Sequence, residues 1–80
     1  MKIVMRDDRV FEGTALQIVR AMQGLAFDVD DLTVAKYIEW VVANVQKFEG
    51  VALTIDGDTN DALAASLVDE MIRAGVTRRL

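Results

Sequence analysis

The chain has 80 residues, 52% of them hydrophobic and 28% charged, with a net charge of −4 at neutral pH. That length supplies one small domain, which buries roughly 60% of the surface its unfolded chain would expose, and the apolar content is too high for a disordered chain. There is no Cys and no His, which excludes disulfides, thiolate nucleophiles and the usual imidazole base or metal ligand. The acidic balance also disfavours nucleic acid, whose phosphates reward clustered Lys and Arg.

From the N-terminus, "MKIVMRDDRV" turns polar at Arg6, so it lacks the apolar region of a signal peptide. No apolar run approaches the ~18 residues of a membrane span, and a cytoplasmic protein is expected. "KIVMRDDRVFEG" predicts a β-hairpin turning on Asp7-Asp8, since Asp tolerates the left-handed conformation of two-residue turns. That turn pairs Met5 with Val10 and Val4 with Phe11. Gly13-Thr14 then opens a helix, and "TALQ" fits a capping box in which Thr14 and Gln17 satisfy each other's backbone amides. Ile18, Val19, Met22, Leu25 and Ala26 follow at helical spacing.

In "FDVDDL", Asp30 or Asp31 is the expected cap of a second helix. Val34, Ile38, Val41, Val45 and Phe48 mark that helix's apolar stripe, and Gly50 ends it. "VALTID" alternates Val51, Leu53 and Ile55 against Ala52 and Thr54, the pattern of a half-buried strand. The last helix runs from about Asn60 to Ala74, with Leu63, Leu67, Val68 and Met71 inward and Gly75 at the left-handed C′ position. "VTRRL" alternates and fits either a further short strand or a loose tail. These elements predict a single α+β domain over 1–80 in the order ββααβα. Its small antiparallel sheet, the N-terminal hairpin plus a third strand, packs against three helices.

Three places could carry function. "TIDGDTNDAL" crowds Asp56, Asp58 and Asp61. Read as an EF-hand from Asp56, it lacks the Gly of the sharp turn and the closing Glu, so that site is rejected. The cluster starts a helix, where Asp58 or Thr59 as N-cap and Asp61 in the first turn are ordinary capping. A weak cation site or a carboxylate enzyme at these residues is the minor alternative, and no metal or cofactor is expected. The second place is basic: Lys2, Arg6 and Arg9 near one end, Arg78 and Arg79 near the other. A small regulator or antitoxin-like protein touching DNA through such a hairpin and tail is the other alternative.

The third place is the anomaly of the second helix. Trp40 falls about 120° from the centre of the apolar stripe at 3.6 residues per turn. It shares that flank with Tyr37 and Asn44, bordered by Lys36 and Lys47. Trp and Tyr are favoured anchors of interfaces, so the leading expectation is a non-enzymatic protein-interaction module. It would be a homodimer, or would dock another protein, through Tyr37, Trp40 and Asn44 with Lys36 and Lys47 at the rim. The chain also resembles short bacterial proteins of no assigned activity that place a Gly-Thr-capped helix after a charged hairpin. Gly13, Thr14, Ile18, Val19, Met22, Tyr37 and Ile38 carry that resemblance, which implies a fold and no activity.

Overall fold

The computed structural model describes residues 1–80. The chain runs through β1 (Lys2–Met5), β2 (Val10–Glu12), α1 (Ala15–Leu25), α2 (Val34–Glu49), α3 (Asn60–Arg73) and β3 (Thr77–Arg79). The strands form one antiparallel sheet in the order β2-β1-β3, giving an α+β fold in which a small sheet packs against three helices. The third strand is the C-terminal "TRR" rather than the "VALTI" of 51–55, so the observed succession is ββαααβ. β3 fills the free edge of β1, and the Thr77 hydroxyl donates to the buried Val4 carbonyl.

The hairpin is shifted by one residue from its expected register. Val4 pairs with Val10 and Ile3 with Phe11. The Met5 amide donates to the Arg9 carbonyl and the Asp8 amide to the Met5 carbonyl, which closes a loop of Arg6, Asp7 and Asp8. Asp8 takes φ +70, as the last residue of a three-residue hairpin loop must. The left-handed Asp was expected; the extra loop residue was not. The slip reverses which cross-strand neighbours share a face. Ile3, Met5 and Phe11 therefore lie on the helix-facing side, while Val10 is half exposed on the other.

Each helix begins on a threonine. Thr14 forms the full capping box with Gln17, and Thr59 accepts from the Ala62 amide. For α2 the cap is Thr33, which accepts from the Lys36 amide, not Asp30 or Asp31. The intervening residues are held by Gln23, a buried amide that donates to the carbonyls of Val29 and Leu32 and so ties the α1–α2 connection down. Gly50 caps α2 at φ +68. After α3, the Val76 amide donates to the Met71 carbonyl and the Gly75 amide to Ile72. This Schellman geometry, with Gly75 left-handed and Val76 folded into the core, is the one the sequence implied.

Sixteen residues make up the core. Ile3, Ile18, Val19, Leu67, Val68 and Met71 are its fully covered centre, where α1 and α3 pack together beneath β1. The segment 51–57 has no backbone ladder; it lies extended along α3 and is held by that helix's side chains. The Asp56 amide donates to Ser66 Oγ, the Thr54 amide to Glu70 Oε1, and Arg73 donates to the Ala52 carbonyl. Leu53 is buried and Val51 and Ile55 half-buried, whereas Ala52, Thr54 and Asp56 are exposed. The inward–outward alternation is thus as expected, although the partner is a helix.

Candidate functional site: the aromatic flank of α2

Tyr37, Trp40, Asn44 and Phe48 recur at i, i+3, i+7 and i+11, which places them along one side of α2. Tyr37 is almost covered, 2% exposed, whereas Trp40 is 38% and Phe48 72% exposed. The Tyr37 and Trp40 rings stack with centroids 5.8 Å apart and planes 21° from parallel. Asn44 donates its side-chain amide to the Trp40 carbonyl at 2.7 Å, so one of its N–H groups braces its own helix. Lys47 holds its ammonium 5.3 Å above the Phe48 ring, a cation–π contact at the rim. Lys36 is exposed on the adjoining side.

The five expected residues are therefore not equivalent. Trp40 offers contact surface, Lys36 and Lys47 edge it, Tyr37 lies beneath, and Asn44 supports. Phe48, expected in the buried stripe, is instead the most exposed ring of the flank. The stripe's inward run stops at Val45, and the last turn of α2 carries Phe48 outward. Continuing the spacing of Tyr37, Trp40 and Asn44 by one more turn would have found it.

Tyr37 also lines a groove of about 370 Å³ between the hairpin loop, the end of α1 and α2. Its apolar wall includes Met5, Phe11, Met22 and Leu25, and its rim carries Arg6, Asp7, Arg9 and Glu49. Leu25, expected inward, is 61% exposed here. The rim charges are mutually paired: Arg6 bridges to Glu49 and donates to the Gly75 carbonyl, and Arg9 bridges to Asp7. No group of the chain accepts from the Tyr37 hydroxyl, which is not sealed inside the protein and opens on this groove. Burial pushes its pKa up to about 12, so the phenol is a neutral donor at physiological pH.

The other two candidate places look different once folded. β1 and β3 do bring Lys2, Arg78 and Arg79 together, but Arg6 and Arg9 are committed to ion pairs. Arg78 and Arg79, as consecutive strand residues, point to opposite faces. Asp56, Asp58 and Asp61 are exposed, and no three carboxylates of the chain converge as cation ligands. Gly57, between them, has φ +153, and a Cβ there would meet Ala62 Cβ at 2.8 Å and the Leu63 nitrogen at 2.9 Å. The loop thus presses on the first turn of α3, which explains the small residue. No helix is long and apolar enough to cross a membrane. No protein-family model matches the chain, and neither a characterised protein nor a solved structure does.

Proposed function

We propose that this domain is a non-enzymatic interaction module that pairs with a second copy of itself through the aromatic flank of α2. The observation that carries this reading is the exposure of Trp40 and Phe48 along α2 and of Leu25 in the apolar groove that Tyr37 also lines. Exposed apolar surface of this kind marks association sites. Water exclusion there stabilises by roughly 25 cal/mol per Å² of apolar area. The occupant follows from charge. Arg6, Asp7, Arg9 and Glu49 sum to zero and are already paired, so the rim offers nothing to a strongly charged partner. Two identical grooves can face each other without repulsion between their rims, while Lys36 and Lys47 stay at the solvated edge of the flank, in the self-complementary manner of twofold dimers. The Tyr37 hydroxyl supplies a neutral donor in the groove.

The test is the mass in solution by light scattering across a range of concentrations, for the natural chain and for Trp40→Ala with Phe48→Ser. The natural chain is expected to double its mass as concentration rises, and the double variant to stay monomeric with an unchanged circular dichroism spectrum. A natural chain that remains monomeric at every concentration would reject the reading.

A further inference from the structure

On the other side of α2, a groove of about 480 Å³ runs between this helix and the 51–57 segment, walled by Ala35, Ile38, Val42, Leu53 and Ile55. In an extended chain, the amide and carbonyl of one residue point to the same edge, and successive residues alternate edges. Ala52, Thr54 and Asp56 turn theirs toward α3, where Arg73 donates to the Ala52 carbonyl and Glu70 and Ser66 accept from the Thr54 and Asp56 amides. Leu53 and Ile55 therefore turn theirs the opposite way. None of these four groups has a hydrogen-bond partner anywhere in the chain. Leu53 is nonetheless buried, a setting in which an unpaired amide is costly.

An unpaired extended edge beside an apolar groove is a template for another strand. The outer edges of β2 and β3 are weaker templates, being three residues long and carrying the exposed Val10 and Glu12, or Arg78 and Arg79. We infer that the Leu53–Ile55 edge takes an extended segment of a partner protein in which apolar and basic residues alternate. The backbone of that segment hydrogen-bonds to Leu53 and Ile55. Its inward side chains rest on Ala35, Ile38 and Val42, and its outward side chains lie beside Thr54 and Asp56.

The basic character comes from the surroundings. Glu39 is the only charged residue lining the groove, and Asp56, Asp58 and Asp61 stand where the segment enters α3. A second copy would set these acids against their own duplicates, so it suits this edge poorly. The inference is independent of the aromatic flank, which faces the other way.

Hydrogen exchange and backbone amide shifts of the full chain test it, with a capped peptide of alternating Val and Lys as the probe. Three comparisons accompany it: the same peptide N-methylated at alternate residues, a Val–Glu peptide, and a dilution series of the protein alone. The Leu53 and Ile55 amides should exchange readily in the free protein and slow by about tenfold or more with the Val–Lys peptide. Thr54 and Asp56 should change little. The N-methylated and Val–Glu peptides should each bind at least about tenfold more weakly, having lost respectively the backbone donors and the charge match. Equal binding by the N-methylated peptide would overturn the inference, as would no slowing at Leu53 and Ile55 at millimolar peptide. Protection of these amides in the protein alone that grows with concentration would overturn it in favour of a second copy. Loss of dimerisation in the Trp40 and Phe48 variant would leave all these readouts unmoved.

Discussion

Two stretches of this chain run extended against the core, and the one that alternates apolar and exposed residues, 51–57, is not the one that forms a strand. In β1, the backbone is matched on both edges by other backbones, β2 on one side and β3 on the other. In 51–57, three backbone groups of one edge are met by side chains of α3, and the other edge is met by nothing. The difference teaches that alternation reports where side chains go and is silent about what the backbone meets. Strand geometry needs only an extended chain over an apolar floor. A ladder also needs a neighbour at about 4.8 Å, and here the neighbour is a helix whose Ser66, Glu70 and Arg73 stand in for it.

The comparison can be broken hardest at its centre. Ile3 is wholly buried in β1, so Ile3→Ala should lower the unfolding free energy by about 3–4 kcal/mol in urea titration. That is a large share of what a domain this small holds. Next comes the end of the extended segment, where Gly57→Ala places a methyl against Ala62 and the Leu63 nitrogen. A loss of about 2 kcal/mol is expected from strain and displacement, whereas Gly24→Ala, with open space around it in the exposed last turn of α1, should gain up to about 0.5 kcal/mol.

The side-chain ladder itself should give smaller effects than a backbone ladder. Ser66→Ala frees the exposed Asp56 amide and is expected to lower stability by about 0.5–1 kcal/mol, with faster exchange at Asp56 and no change at β1 amides. Acid sharpens the same contrast. Hydrogen bonds from Arg73 first, and then from the Thr54 amide, hold the Glu70 carboxyl below the usual range. A carboxyl lowered on folding stabilises fully above its unfolded value, near ~4.3, and that contribution fades as pH falls through the lowered folded value. Protection of the Thr54 amide, taken relative to its intrinsic exchange rate at each pH, should therefore fall on acidification through that window, while protection of the β1–β2 amides, whose partners are backbone carbonyls, should hold.

Much of the framework was legible in local chemistry. The capping box at Thr14, the left-handed Gly50 and Gly75, and the off-stripe position of Trp40 follow from rules that act within one or two turns. What was not legible depends on distant partners. Whether "VALTI" or "TRR" completes the sheet depends on which one the fold brings beside β1. Asp30 and Asp31 are good caps in isolation, but Gln23 pins the carbonyls of Val29 and Leu32 and moves the helix start to Thr33. Arg6 fits a strand as well as a loop, and its bonds to Glu49 and Gly75 settle it in the loop. Phe48 keeps the helical period while lying beyond the body that would cover it.

The pairing of β1 with β3 sets a timetable for synthesis. β1, made ahead of β2 and the helices, has one edge that Thr77–Arg79 close, and the Leu80 amide then bonds the Lys2 carbonyl. On a ribosome the hairpin and all three helices are made before that edge is satisfied, and the contact spans nearly the whole chain, the kind of closure that slows folding. Until then β1 presents an open strand beside Ile3, a short-lived adhesive surface that any neighbouring nascent chain could use. The final turn of α3, with Gly75 reversing the chain into β3, acts as the latch of the sheet, and stalling upstream of it leaves the sheet open.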